Sequence, residues 1–269
     1  MAESLLADVG DLLRTAAAEV VVPMFRRLDD ADVSEKAPGE VVTVADRLAE
    51  ELISAGLRRL RPDSVVVGEE AVAEDPDLLR HLRGAGDVWV VDPIDGTANF
   101  AAGRRPFALM VALLAGGLPA ASWVYDPLAD TMAACRTGAG TWLDGTPVRI
   151  SRTALEAGAL RGTAMTRFLP PETRRTVEAG GERMGELLPG QHCAGREYLD
   201  MLTGAQQFVL FWRTLPWDHA PGTLLVREAG GVARRFDGTD YHPADDGRGL
   251  LVAASEEIWD EVRAALLAG

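Results

Sequence analysis

The chain has 269 residues, 47% of them hydrophobic and 25% charged, with a formal charge of -14 and a pI near 4.7. That length buries most of its unfolded surface in one large or two closely packed domains without staples, and the apolar fraction excludes a disordered chain. The acidic balance argues against nucleic acid or anionic membranes as main partners, yet admits a small anionic substrate wherever bound cations reverse the local field.

Leu5, Leu6, Val9, Leu12, Leu13, Ala16 and Val20 recur at helical spacing and predict a long first helix with Arg26 and Arg27 near its end. The opening decapeptide has no basic n-region or cleavable apolar core, and no later segment has the apolar length of a membrane span, so a cytoplasmic location is expected. A polar loop, SEKAPGE, follows. Thr43 is placed to cap a second helix with Asp46 in its first turn and Leu48, Ala49, Leu52, Ile53, Leu57 and Leu60 as its apolar face. Val65, Val66 and Val67 form a short buried strand that stops at Gly68, Glu69 and Glu70. A second apolar strand, Val88–Val91, ends in DPIDGT. FALMVALL, Gly116-Gly117 and PAASWVYD read as a hairpin, extended by TMAAC and the Asp144-Gly145 turn into an antiparallel sheet. Gly138-Ala139-Gly140 is no dinucleotide loop, because Thr141, Trp142 and Leu143 continue a strand instead of opening a helix.

From about residue 153 the pattern alternates: RGTAM, a helix from Pro171 to Leu188, a helix after Gly195, the strand QFVLFW, and a helix from WDHAPG to Gly230-Gly231. GVARRF, LLVAAS and a final helix EEIWDEVRAALL close the chain. Two halves, 1–152 and 153–269, are expected to pack as one unit. The organisation is α+β, since the strands are joined mostly by hairpins. Cys135 and Cys193 lie far apart and form no metal-type pair, which makes them structural thiols of a reducing compartment.

The strand end VWVVDPIDGT carries the most chemistry. Pro93 has no N–H, so the chain is expected to turn at Asp92. Two carboxylates within one turn repel unless a cation or a proton intervenes. Pro93 and Ile94 bring Asp92 and Asp95 toward a common point, Gly96 supplies a positive φ, and Thr97 opens a short helix whose backbone N–H groups suit an anion. An isolated D-x-x-D-G is more often an ordinary turn. Further acids at strand ends and helix starts, Asp46, Glu69, Glu70 and Asp218, tip the balance toward a cluster of hard oxygen ligands suited to Mg²⁺ or Mn²⁺.

The motifs VTVAD, VVVGEE, WVVDPIDGT and PWDHAPG, in this order and across essentially the whole chain, resemble the inositol monophosphatase family of metal-dependent, lithium-sensitive phosphatases. The resemblance implies a layered α/β/α/β sandwich of the sugar-phosphatase type, the type of inositol monophosphatase and fructose-1,6-bisphosphatase, and a homodimer. It implies that Glu69, Asp92 and the Ile94 carbonyl hold one Mg²⁺, that Asp92, Asp95 and Asp218 hold a second, and that a third, weaker ion involves Glu69. Asp46 and Thr97 would orient or deprotonate the attacking water, and Asp95, Gly96 and Thr97 would cradle the phosphate. Of the 27 Lys and Arg residues only Lys36 is lysine, and it lies in the polar loop where relatives carry a lysine near the metals. Glu70 is expected beside the ligands or in solvent, and His81, His192, His219 and His242 at the surface or near the site by adjacency.

Two departures move the substrate question elsewhere. The inositol-selective branch has an acid seven positions before the WD aspartate, where this chain has Phe211, and small residues after the glycine equivalent to Gly195, where it has Arg196, Glu197 and Tyr198. Arg196 or Arg213 would then meet a second phosphate or a carboxylate, and Phe211, Trp212 or Tyr198 would stack on a ring; packing and surface charge are the competing explanations. Inositol phosphate, histidinol phosphate, sugar phosphates and 3′-phosphonucleotides stay open as substrates, as does a regulatory protein- or RNA-binding role on the same fold.

Overall fold

The computed structural model describes residues 2–37, 40–151 and 156–267, so the expected junction at 152/153 lies outside the described residues. Helix α1 (Ala2–Ala16) passes through a π-helical turn into α2 (Val22–Met24), burying Val9, Leu13, Ala16 and Val21. The hairpin β1 (Val33–Ala37) and β2 (Glu40–Thr43) leads into α3 (Val44–Leu60). Thr43 caps α3 as expected: its hydroxyl accepts from Asp46 N, and the Asp46 carboxylate accepts from Thr43 N at 2.8 Å. The buried face of α3 is rotated from the leucine stripe. Ala45, Ala49, Ile53 and Leu57 are buried together with Asp46 and Glu50, while Leu48 and Leu60 are 42% and 36% exposed. Residues four apart share a helix face, so the turn that buries the alanines carries both acids inward.

Next come β3 (Val65–Gly68), α4 (Glu69–Glu74), β4 (Asp87–Asp95) and α5 (Thr97–Ala101), followed by β5 (Ala108–Ala115), β6 (Leu118–Asp126), β7 (Thr131–Arg136), β8 (Gly140–Leu143) and β9 (Thr146–Val148). These strands form one sheet in chain order, parallel between β3 and β4 and antiparallel beyond. The hairpin at Gly116-Gly117 and the strand after Gly140 are where the sequence placed them.

The remaining elements are β10 (Arg161–Ala164), α6 (Pro171–Gly181), β11 (Glu186–Leu188), α7 (Ala194–Thr203), β12 (Phe208–Phe211), α8 (Pro216–Glu228), β13 (Val232–Arg235), β14 (Leu250–Ala253) and α9 (Glu256–Leu266). Helix α6 ends at Gly181, short of the predicted Leu188. Gly180-Gly181 weakens the helix, and Glu186, Leu187 and Leu188 instead pair in parallel with β10. The second sheet has the order β11-β10-β12-β14-β13.

Helices α1 and α3 cover one face of the first sheet, α7 and α8 lie between the two sheets, and α6 and α9 cover the far side of the second. This is the expected α/β/α/β order with one outer helical layer added. A single core cluster joins Met110, Val124 and Ala133 of the first sheet to Tyr198, Leu225 and the second sheet. Gly222 is where α8 meets the Tyr198 ring, and a Cβ there would overlap that ring. Among the described residues, no helix is long and apolar enough to cross a membrane.

Candidate active site

Strand β4 pairs with β5 through Asp92↔Met110 and again at Asp95↔Ala108, so one extra residue is accommodated between them. The strand is not terminated at Asp92, as Pro93 suggested; it is bulged, and a bulge tolerates a residue without an N–H. The consequence is directional. In a regular strand residues three apart face opposite sides, and the extra residue puts both aspartates on the same side, where Asp92 is 2% and Asp95 8% exposed. Gly96 follows in the left-handed region at φ 89 and ψ 33. A Cβ there would press on the Pro106 carbonyl oxygen and on Cys193, so glycine is required twice over.

Asp218, in the first turn of α8, completes the cluster. Asp92, Asp95 and Asp218 each offer an oxygen, and these lie within 4.8 Å of one another. Asp95 Oδ2 is spoken for: the Gly195 N–H donates to it at 2.6 Å and the Cys193 thiol at 3.1 Å. Asp92 Oδ1 is buried with no hydrogen-bond partner among the described residues. Burial, reinforced by the neighbouring carboxylates, pushes Asp92 and Asp218 well above the usual carboxylate range; burial also raises Asp95, against the N–H and thiol that favour its charged form. Three crowded carboxylates with an orphaned oxygen and no nitrogen or sulfur ligand fit a hard divalent cation.

Around this cluster, the Thr97 hydroxyl lies 2.9 Å from the Ile94 carbonyl oxygen and 3.1 Å from Asp46 Oδ1. Burial raises Asp46 to about 7, with Glu70 and Glu69 adding to it and the Thr43 hydrogen bonds opposing. The Glu69 carboxylate faces the same cavity but is held by Lys36 at 3.0 Å, and Lys36 also reaches Glu70 at 2.5 Å. Glu70 is thus a buried ion-pair partner and not a solvent-facing residue. Burial works against the Lys36 charge, yet the two glutamates outweigh it and raise its pKa.

The cavity over the cluster has a volume of about 460 Å³ and takes in Lys36, Glu69, Asp92, Asp95, Thr97 and Asp218. Of the expected rim, Phe211, Trp212 and Arg213 line it. Arg196 does not: its guanidinium pairs with Asp126 at 3.6 Å and Asp200 at 2.5 Å, because its place on α7 faces β6 and the next helical turn. Tyr198 is also misplaced as rim, being 0% exposed, with its ring stacked on Phe211 and its hydroxyl 2.9 Å from His219 Nδ1. Gly195 acts through its backbone N–H on Asp95. His219 is buried and lies at the cavity through its adjacency to Asp218, as expected. Its Nε2 lies 2.9 Å from the Arg213 carbonyl oxygen, which can only accept, so Nε2 carries the proton and Nδ1 accepts from Tyr198.

Three supports escaped the sequence reading. Glu50 accepts the N–H groups of Glu70 and Ala71, both at 2.8 Å, and so fixes α4 and Glu69. Glu197 accepts from Gln191 N and from Gln206 Nε2, bracing the loop that presents Cys193 and Gly195 to Asp95. Cys193, expected to be purely structural, touches the cluster itself. A glutamate four residues after Asp46 was the one available signal, since that spacing puts it on the same face.

This layered arrangement is that of solved inositol monophosphatases: a Thermotoga maritima IMPase superposes with a TM-score of 0.76 at 26% identity, covering 98% of this chain and 94% of that one. The model of the inositol monophosphatase family matches residues 3–268. The chain belongs to the inositol monophosphatase family. Among curated relatives, "Nus factor SuhB" of Pseudomonas aeruginosa is 34% identical over 238 residues, 83% of each chain. "Inositol-1-monophosphatase" of Rhizobium meliloti is 31% identical over 266 residues, 98% of this chain and 96% of the relative.

Proposed function

We propose that the chain is a Mg²⁺-dependent phosphomonoesterase that hydrolyses a small phosphorylated metabolite by in-line attack of water. The observation that carries this reading is the cluster of buried Asp92 and Asp95 with half-buried Asp218 and its orphaned Asp92 oxygen, open to a cavity large enough for a sugar phosphate. Asp92, Asp95 and Asp218, with Glu69 and the Ile94 carbonyl beside them, would hold the cations, which supply water activation and charge neutralisation at phosphate and leaving group.

The protein groups then have distinct tasks. Asp46 and Thr97 form a hydrogen-bonded pair in which the Thr97 oxygen orients the water and Asp46 draws its proton through the hydroxyl. Release of Glu69 from Lys36 frees its carboxylate for the same water or for a cation. The Gly96 and Thr97 N–H groups precede the first intrahelical donor of α5, which is Asn99, and are left for phosphate oxygens. The water oxygen bonds to phosphorus as the ester P–O bond breaks; one water proton ends on the leaving alkoxide and the other passes to phosphate or solvent. No covalent phosphoenzyme is needed, because among the described residues no activated Ser or Cys faces the cavity: the Cys193 thiol is pushed up by burial and donates to Asp95.

The two halves meeting at this site, lithium sensitivity, a homodimeric state and a cytoplasmic location belong to the same proposal. The relatives named Nus factor motivate a second reading, a regulatory protein- or RNA-binding role. The intact acid cluster favours hydrolysis. The test is phosphate release from a panel of phosphomonoesters with and without Mg²⁺, with Asp95→Asn as control. Release that requires Mg²⁺ and falls at least about 100-fold in the control is expected. Equal release by both proteins would sink the two-metal assignment, and partner binding retained in Asp92→Asn with no ester hydrolysed by the wild type would overturn the hydrolase reading in favour of the second.

A further inference from the structure

The cavity floor is acidic, whereas its mouth carries two arginines beside a glutamate, Glu40. Arg167 and Phe168, in the turn after β10, and Arg213, after β12, converge there and line the same cavity as Asp92 and Asp218. Both guanidinium groups stack on one ring: the Arg167 and Arg213 Cζ atoms lie 4.9 and 4.8 Å from the Phe168 centroid. Phe168 is 46% exposed, a large apolar side chain held at the mouth with the guanidinium groups of Arg167 and Arg213 over its ring. The charges are unevenly matched. Arg213 is paired with Glu40 at 2.7 Å, whereas no ion pair to Arg167 exists among the described residues.

A guanidinium stacked on an aromatic ring keeps its in-plane N–H donors free while losing side-chain freedom, which pre-organises it for a carboxylate or phosphate. Arg213 is anchored further, since its carbonyl receives the His219 Nε2–H and ties the arginine to the helix that carries Asp218. Where the sequence offered Arg196 as a second anion contact, the structure turns that residue away and puts Arg167 in its place.

We propose that Arg167 and Arg213, mounted on Phe168, form a specificity site for a second anionic group on the leaving-group side of the substrate, so that the preferred esters are small phosphomonoesters with a carboxylate or second phosphate at the far end. This rests on the phosphomonoesterase reading and deepens it. A ligand tail reaching Arg213 competes with Glu40, so Glu40 is a built-in restraint on this site.

The experiment uses three six-carbon probes: fructose 6-phosphate with a neutral tail, 6-phosphogluconate with a carboxylate tail, and fructose 1,6-bisphosphate with a phosphate tail. Phosphate release with Mg²⁺ and calorimetric binding with Ca²⁺ in its place are measured for wild type, Arg167→Gln, Arg213→Gln and the double variant. The wild type is expected to favour at least one charged-tail probe over fructose 6-phosphate by about tenfold or more, and the probe favoured identifies the carboxylate or the phosphate as the recognised group. That ratio should collapse toward one in the double variant, through KM and not kcat, and Glu40→Gln should raise it. A wild type without preference for either charged tail, or a preference untouched in the double variant, overturns the proposal. No phosphate release from any probe, with the binding preference and its loss in the double variant intact, would instead strike the hydrolase reading and leave the anion site standing.

Discussion

His219 is buried as a neutral imidazole, and that makes a quantitative prediction. Burial lowers its pKa from 6.5 to about 3, with the hydrogen bond to the Arg213 carbonyl opposing and Arg235 adding to the shift. The folded-state pKa lies below the unfolded one, so the unfolded chain binds the extra proton between those values and stability rises with pH. The contribution is whole above pH 6.5 and is lost as pH falls from there toward 3. Because His219 stays neutral in the fold at pH 5, the loss between pH 7.5 and 5.0 depends almost wholly on the unfolded pKa and comes to about 2 kcal/mol. Asp46 and Glu50, both raised to about 7, take up protons in the fold over this range and push total stability the other way. The informative quantity is therefore the difference between wild type and His219→Gln. Urea unfolding in chelator, followed by tryptophan fluorescence, should show the wild-type advantage at pH 7.5 shrinking by about 2 kcal/mol at pH 5.0. Curves that stay parallel across the range would refute the buried neutral imidazole.

Three further substitutions test separate parts of the structure. Thr43→Val removes the α3 cap and one partner of Asp46, and should cost about 1 kcal/mol in thermal or urea unfolding and lower kcat more than KM is raised. Gly222→Ala drives a methyl into the Tyr198 ring between the two sheets; a loss of about 1–3 kcal/mol is expected, with weakened Mg²⁺ binding measured by calorimetry because α8 carries Asp218. Arg196→Gln breaks only the pairs to Asp126 and Asp200, so substrate preference across the six-carbon probes should be unchanged and stability should fall by about 1 kcal/mol or less. A shifted preference in that variant would restore Arg196 to the rim.

The sequence by itself determined the local motifs that carry the acidic residues. A strand ending in DPIDGT, a capped helix start at Thr43 and the WD motif are local patterns, and local patterns are set by backbone constraints, capping and the repulsion of adjacent carboxylates. They located Asp46, Asp92, Asp95, Thr97 and Asp218, and the fold brings these together. Tertiary structure decided which way each side chain faces. The bulge between Asp92 and Asp95, not a strand end, puts both on one side. The rotation of α3 buries Glu50 and exposes Leu48, since the neighbouring sheet selects the face. Tyr198 and Arg196, two positions apart on α7, leave the rim for the core and for Asp126, while Arg167, distant in sequence, joins Arg213 on Phe168. The residues proposed to select the substrate are brought together by these long-range contacts. A periodic pattern along one chain carries no information about which of two sheets, packed on the same helix, will claim a given side chain.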